Sequence, residues 1–317
     1  MIAYTLNRLL QAIPVLFLVS LFAFGIIYLI PGDAATVIGG PTATPADLEQ
    51  IRRNLGLDQP IHVQIITFYI NLFQGDLGRS LLLGIPVTEA LLDRSPITIG
   101  IALYSLAITI VFGLATGVVA ALYHNTWIDQ AATFFALIGV SLPNFWLALV
   151  MIVVFSVHLG WLPTGSYVPF SEDPVGWLRT ATMPAVALAL LQAGLLTRIT
   201  RSTMLEVLGQ DYIRTARAKG LPEWQVIGVH ALANVMMPVI TVMGLILSVL
   251  LSGSIIIETI FGIPGIGALM GNAIMSRDYP MVQGGLFFIT ASLLLLNIVI
   301  DVLYTWLDPR IRVKGGD

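Results

Sequence analysis

Six apolar runs, each long enough to cross a lipid bilayer, dictate most of what this chain is able to fold into. The first extends from Leu9 to Ile30. The others cover, approximately, Ile97–Tyr123, Ala131–Leu159, Ala181–Thr200, Val235–Ile257 and Gly284–Leu307. A helix needs about 20 apolar residues to cross roughly 30 Å of hydrocarbon, and every run meets that length. Backbone N–H and C=O groups in hydrocarbon must pair within the protein, and runs this long exceed a barrel strand. Six helices are the economical solution. Composition agrees: 57% of the residues are hydrophobic, 10% are charged and the mean hydropathy is +0.90, whereas a soluble domain carries about a quarter charged residues. The sequence predicts an all-α integral membrane protein embedded in membrane lipid. A net charge of −3 gives no reason to expect nucleic acid. With no cysteine, disulfide staples and thiolate metal sites are excluded.

Residues 1–30 read as a short polar start with Arg8, followed by the first membrane helix. A cleaved signal peptide is the alternative, but its apolar region spans roughly 7–15 residues and this run is longer. Residues 31–95 form the one long stretch of soluble character, predicted to be a small extramembrane subdomain between the first two spans. Pro31-Gly32-Asp33 stops the first helix, and Thr44-Pro45-Ala46-Asp47 opens another that runs toward Asn54. After Pro60, the residues Ile61, Ile65, Phe68, Tyr69 and Leu72 share one side of an amphipathic piece. Residues 96–307 hold the other five spans, with a loop over 201–234, and 308–317 form a tail.

Lys and Arg placement sets the orientation. With a cytoplasmic N-terminus, the inner loops hold Arg8, Arg198, Arg201, Arg214, Arg217, Lys219, Arg310, Arg312 and Lys314. The outer loops hold Arg52, Arg53, Arg79, Arg94, Arg179 and Arg277 over considerably more residues. Both termini are therefore expected in the cytoplasm, and the 31–95 subdomain outside it.

Within the inner loop lies Asp211-Tyr212-Ile213-Arg214-Thr215-Ala216-Arg217-Ala218-Lys219-Gly220, a basic segment between two apolar runs. Asp211 suits an N-cap, nothing from Tyr212 to Lys219 breaks a helix, and Gly220 followed by Pro222 ends it. Arg214 and Arg217 share a face, and Ile213, Ala216 and Gly220 make a stripe on another. Spacing alone leaves two readings open, a positive-inside topology signal or a docking surface. Inside the spans, Gly113-Leu-Ala-Thr-Gly117 permits close helix approach, and Pro143 and Pro238 are sites for kinks. Gln192 and Asp301 are the polar intruders, with Glu258 at a membrane edge and Asp301 expected to make a helix-end hydrogen bond. Asn144, after Pro143, is a candidate with Gln192 for a translocation path.

The chain lacks recognisable catalytic equipment. Its two lysines, Lys219 and Lys314, lie outside any phosphate-binding G-x-x-x-x-G-K-[ST] loop. Gly262-Ile-Pro-Gly265-Ile-Gly267 has the wrong spacing for a dinucleotide fingerprint and contains Pro264, so a turn at the membrane edge is expected there. His62, His124, His158 and His230 are scattered, without metal-ligand spacing. No nucleophile elbow or intramembrane carboxylate pair occurs. The sequence predicts neither a catalytic residue nor a metal site.

Several stretches in this order resemble one family. They are Arg8-Leu-Leu, Pro31-Gly32-Asp33, Leu55-Gly-Leu-Asp-Gln-Pro60, Gly75-Asp-Leu-Gly-Arg-Ser80, Leu162-Pro-Thr-Gly165 and the segment from Asp211 to Leu221. Glu258-Thr-Ile-Phe-Gly-Ile-Pro-Gly-Ile-Gly267, Arg277-Asp-Tyr-Pro280 and Asp308-Pro-Arg-Ile-Arg312 follow. Together they resemble the permease subunits of bacterial ABC importers for dipeptides, oligopeptides, glutathione and nickel. The resemblance implies a type I ABC importer permease fold in the cytoplasmic (inner) membrane. It implies a second, homologous permease, two cytoplasmic ATPases that bind ATP and Mg, and an extracytoplasmic substrate-binding protein. Dipeptides or short oligopeptides come first as substrate, with glutathione and nickel behind.

The resemblance also puts Asp211–Gly220 at such permeases' ATPase-coupling loop. That loop's usual pattern is Glu-Ala-Ala, three residues, Gly, and after a spacer Ile-x-Leu-Pro. Here Arg214-Thr215-Ala216 and Gly220 occupy the first part, and His230, Leu232 and Ala233 fall in the second. The implied mechanism is alternating access, in which the Tyr212–Lys219 helix acts as a lever on the spans attached to it. Gly220→Pro and Ala216→Glu are expected to abolish uptake while leaving insertion intact. A secondary transporter would show midplane carboxylates or two similar halves, and neither is found. A non-transporting scaffold or sensor is the rival of another class, and an intramembrane hydrolase lacks its nucleophile.

Overall fold

The computed structural model describes residues 2–29, 34–40, 43–54, 56 and 58–307. These residues are helical with short connections: α1 (Ile2–Leu29), α2 (Ala34–Gly39), α3 (Pro45–Asn54), α4 (Ile61–Phe73), α5 (Val87–Leu122), α6 (Trp127–Ser141), α7 (Asn144–Met151), α8 (Pro174–Leu208), α9 (Asp211–Ala218), α10 (Glu223–Gln225), α11 (Leu232–Phe261), α12 (Ile266–Met275) and α13 (Tyr279–Leu307). Helices α7 and α10 each run on into π-helical turns, at Ile152–His158 and Val226–Ala231. The only extended pairing among the described residues is an isolated bridge between Arg79 and Pro86. The motif stretches at Pro31 and Asp308 lie outside the described residues.

Among the described residues, five helices are long and apolar enough to cross a membrane, those containing Asn7–Gly25, Val87–Leu122, Pro174–Leu208, Glu223–Phe261 and Tyr279–Val302. The remaining apolar run departs from expectation. Instead of one helix over Ala131–Leu159, α6 and α7 meet at a bend of 101° around Leu142 and Pro143. Pro143 has no N–H to give the preceding turn, and its ring clashes with the carbonyl four residues back. A kink was expected there; the result is a broken span, and counting the pair as one crossing gives six. Helix α5 also starts earlier than expected, at Val87, and continues through Pro96, so residues assigned to the subdomain belong to a membrane-length helix. Helix α8 likewise begins ahead of its apolar run, where the Asp173 carboxylate accepts the Val175 N–H at 3.0 Å and Pro174 takes the first helical position.

The chain separates into two compact units, one from Met1–Pro96 with Gly265–Val302 and the other built on Ile97–Pro264. In the first, α4 lies against α1: Tyr69 stacks on Phe17 with ring centroids 5.6 Å apart, and its hydroxyl meets that of Ser20 at 3.0 Å. Of the expected amphipathic face, Ile65, Phe68, Tyr69 and Leu72 are half-buried, while Ile61 is exposed. Helix α3 opens on a capping box. The Thr44 hydroxyl accepts the Asp47 N–H at 3.3 Å, and the Asp47 carboxylate accepts the Thr44 N–H at 2.9 Å. The Thr44 hydroxyl also donates to the Asp47 carboxylate at 2.7 Å, and this bond first, with the Thr44 N–H second, holds the Asp47 carboxyl below the usual carboxylate range. A second cluster joins Val87 and Leu91 to Ile266, Met270 and Met281.

The second unit is organised on α8, which packs against α6 and α11 and is the most enclosed of the membrane-length helices. Its buried face is largely small residues, including Ala185, Ala189, Ala193 and Gly194. The small-residue spacing read from the sequence is a close crossing of α5 on α8: a Cβ added at Gly117 would lie 2.6 Å from the Thr200 Cβ and 2.8 Å from the Thr197 carbonyl. Helix α6 crosses α8 similarly, where a Cβ at Gly194 would fall 2.5 Å from the Ala136 carbonyl. Van der Waals packing at such distances is what holds membrane helices together, since lipid offers no hydrophobic drive between them.

Candidate functional site

The predicted basic segment forms a discrete helix, α9, between the ends of α8 and α10. Its start differs from expectation. Gln210 occupies the N-cap position without a side-chain cap, and Asp211 is the first helical residue, where a carboxylate still complements the helix N-terminus. Its end is as read: Gly220 has φ +78° and donates to the Arg217 carbonyl at 2.9 Å, while the Leu221 N–H reaches the Ala216 carbonyl at 3.3 Å. A left-handed residue in this position closes the last turn, and glycine adopts it without strain.

The two faces of α9 have different uses. Ile213 is fully buried and Ala216 nearly so, and both belong to the apolar core with Met204 and Val226, against which Leu205, Leu208 and Leu221 pack. The stripe that sequence spacing offered for docking is consumed by the protein's own core, although Gly220, its third member, is exposed. Asp211, Tyr212, Arg214, Thr215, Arg217, Ala218 and Lys219 are exposed. On that face Arg214 meets Asp211 at 3.3 Å, and Arg217 makes a fork with Glu223 at 2.8 and 3.2 Å. Exposed pairs of this kind add little stability. The Arg217 fork does tie α9 to α10 across Pro222. The helix is therefore seated by its apolar side and presents a polar one.

Sequence reasoning missed a polar node near the same end of α8. Asp129, on the first turn of α6, is 4% exposed. Its carboxylate accepts Arg201 Nε at 2.6 Å and Nη2 at 2.7 Å, together with the Asn125 N–H at 3.0 Å. His124 Nδ1 lies 3.1 Å from the same carboxylate and 3.2 Å from Arg201 Nη2. An acidic residue opening an apolar run, with Arg201 among the basic residues of the following inner loop, was the available signal.

Neither proposed path residue lines the apolar cavity between α5, α6 and α8. Asn144 is half-buried at the first position of α7, and Gln192 is 5% exposed on α8. That cavity, of about 420 Å³, is lined by aliphatic and Phe side chains and Gly194, with Thr116 and Thr197 bonded to each other at 2.7 Å. Glu258 is fully buried, with its carboxylate accepting the Thr98 hydroxyl at 2.7 Å. Asp301 forms an ion pair with Arg8 at 3.2 Å, where a helix-end hydrogen bond was expected. Among the described residues no group of three metal-ligating side chains occurs.

In the first unit, two motif stretches far apart in sequence come together. Asp278, 2% exposed, accepts the Ser80 hydroxyl at 2.5 Å, the Leu81 N–H at 3.1 Å and the Leu82 N–H at 3.2 Å. The Gly262–Gly267 stretch makes a helix–turn–helix. Gly262, at φ +64°, ends α11, and Gly265 precedes the ten-residue apolar α12, which at about 1.5 Å per residue is too short to span.

Comparison with known proteins covers the chain from end to end. Residues 113–313 match the model for the binding-protein-dependent transport system inner membrane component, and residues 1–102 match the N-terminal model for the membrane component of such systems. The chain is 49% identical over 312 residues to a putative peptide transport system permease of Brucella abortus, covering 98% of this chain and 99% of that one. It is 40% identical over 314 residues to the glutathione transport system permease GsiC of Escherichia coli, covering 99% and 100%. Its fold is similar to an inward-facing structure of the MetNI methionine ABC transporter, with a TM-score of 0.57 and 18% identity, over 69% of this chain and 96% of that one.

Proposed function

This chain belongs to the family of inner-membrane components of binding-protein-dependent transport systems, and on that premise we propose that it forms half of a pathway for dipeptides or short oligopeptides. It is a permease subunit of an ABC importer, a class that works with further membrane, ATPase and binding-protein components. The observation that carries the substrate class is the end-to-end identity of 49% to a putative peptide permease. The second reading, glutathione, has 40% identity over the same extent in its favour. In our reading the assembly contains a second, homologous permease, two ATPases that bind ATP and Mg, and an extracytoplasmic binding protein. In our reading both termini of this chain face the cytoplasm: the Arg8–Asp301 pair supports their lying on one side, and the Lys and Arg placement supports that side being the inner one.

We assign ATPase coupling to the exposed face of α9. The helix is closed at its C-terminal end by Gly220, rooted in the core through Ile213 and Ala216 and connected to α8 and α11, so a displacement of it is carried into membrane helices. Asn144 and Gln192 remain our candidates for the path. The chain has no cysteine, so Arg214→Cys supplies a unique thiol. A short photo-cross-linker on that thiol, in the complete complex, is expected to capture an ATPase subunit, whereas one on Trp161→Cys is expected to capture none. Equal capture from both positions, or none from Arg214→Cys in a transporting complex, contradicts the assignment.

A further inference from the structure

We propose that the Asp129–Arg201 pair is a positioning element that makes the α5–α6 turn move with α9, so the stroke reaches α5 and α6 as well as α8 and α11. The inference rests on the coupling role proposed for α9 and extends it to helices not attached to α9 in sequence.

Three observations carry it. First, the pair is bidentate, with the Asp129 carboxylate nearly enclosed and the Arg201 side chain 26% exposed. Both Asp129 oxygens are engaged by the Arg201 guanidinium, and the Asn125 N–H takes a further position. A planar fork of this kind tolerates neither sliding nor rotation, unlike a point charge. Second, the turn itself is short and fixed. Only four residues separate Leu122 from Trp127. Asn125 adopts φ +63°, and the Thr126 N–H bonds to the Tyr123 carbonyl at 3.1 Å. Third, Arg201 lies between Thr200 and Met204, which are both fully buried, and Met204 shares the core with Ile213 and Ala216 of α9. The cytoplasmic end of α8 therefore has α9 locked to it by apolar packing and the α5–α6 turn locked to it by the ion pair.

Enclosing the Asp129 charge costs desolvation that its pairing with the partly exposed Arg201 largely offsets, so stability alone does not account for the pair. What such a pair supplies is a single allowed geometry. If α8 shifted without α6, the Asp129 carboxylate would be left enclosed and without its fork. That is a strongly disfavoured state. Helix α6 leads directly into the 101° bend at Pro143, so a shift of its first turn changes the angle at a break already present in the span.

The test uses the complete complex in nanodiscs, with spin labels on cysteine pairs in this otherwise cysteine-free chain. Trp127→Cys with Ala218→Cys reports the α5–α6 turn against α9. Ser171→Cys with Ala218→Cys reports α9 against the loop before α8. All three positions are exposed. In the unaltered background, ATP is expected to shift the 171–218 distance and leave 127–218 unchanged. With Arg201→Lys, which keeps the charge and loses the fork, ATP is expected to shift 127–218 as well. Uptake per ATP hydrolysed should then fall about tenfold, within the usual range of coupling energies. The double variant Asp129→Asn with Arg201→Gln leaves no lone charge and is expected to behave alike, which separates uncoupling from misfolding. A 127–218 distance that shifts with ATP in the unaltered background overturns the inference while leaving the role of α9 intact. So does one that stays fixed in both variants. A 171–218 distance insensitive to ATP overturns the role of α9 and the inference with it.

Discussion

The Asp278 carboxylate and the Ser80 hydroxyl, 198 positions apart in sequence, meet at 2.5 Å in a site closed to solvent. The same carboxylate takes the N–H groups of Leu81 and Leu82, so one side chain at the start of α13 holds the turn that follows Arg79. Ser80→Ala removes a bond to an enclosed charge and is expected to cost about 1–3 kcal/mol. Thermal unfolding of the detergent-solubilised protein measures it. Limited proteolysis between Leu81 and Pro86 should accelerate in the same variant.

Gly117 and Gly253 are both helical glycines, and they should respond oppositely to alanine. At Gly117 the new Cβ meets Thr200 and a backbone carbonyl of α8 below 3 Å, and neither can retreat without moving a helix. A loss of about 1–3 kcal/mol is expected. At Gly253 nothing lies within 4 Å, so alanine should be neutral or stabilise by up to about 1 kcal/mol. Paired unfolding measurements decide it.

The Thr44–Asp47 box gives a pH dependence of defined sign. The Thr44 hydroxyl and N–H lower the Asp47 pKa in the folded state, so the box contributes above the unfolded value and is lost as pH falls through the lower, folded one. The Asp47 carboxyl should titrate by NMR below the ordinary value of about 3.9. Thr44→Ala should return it toward that value and fray the first turn of α3. A titration unchanged by Thr44→Ala contradicts the assignment.

The two substitutions first expected to uncouple α9 are not equivalent in the structure. Ala216 is buried against the core, so Ala216→Glu encloses a carboxylate and damages the unit itself, which makes it a poor test of docking. Gly220→Pro forces φ from +78° to about −65° and opens the last turn. Tyr212→Ala and Arg214→Ala alter only the exposed face. They are expected to leave unfolding temperature unchanged and to lower substrate-stimulated ATP hydrolysis by the complex. A drop in both quantities together would indicate a structural role instead.

Legibility of the fold followed how local each signal was. Run length and hydropathy located the membrane helices because a bilayer imposes one period and one length. Gly220 announced its turn because few residues share its conformation, and the Gly113–Gly117 spacing announced a close crossing without naming α8 as the partner. What escaped was long-range. The Asp129–Arg201, Asp278–Ser80 and Arg8–Asp301 partnerships join positions whose proximity depends on the whole helix arrangement. The right-angled break at Pro143 was underread because a proline marks where a helix yields, and packing decides how far. The small stripe on α9 was legible as a face, but its burial was decided by Met204, Leu205 and Leu208 on another helix.

Uptake by proteoliposomes tests the central claim most directly. The complete complex is reconstituted with its binding protein, and a labelled dipeptide is supplied outside, with unlabelled glutathione as competitor. Accumulation that needs both the binding protein and ATP on the ATPase side, and that resists glutathione, is the predicted result. Accumulation by this chain without the ATPase subunits, driven by an ion gradient, would contradict it.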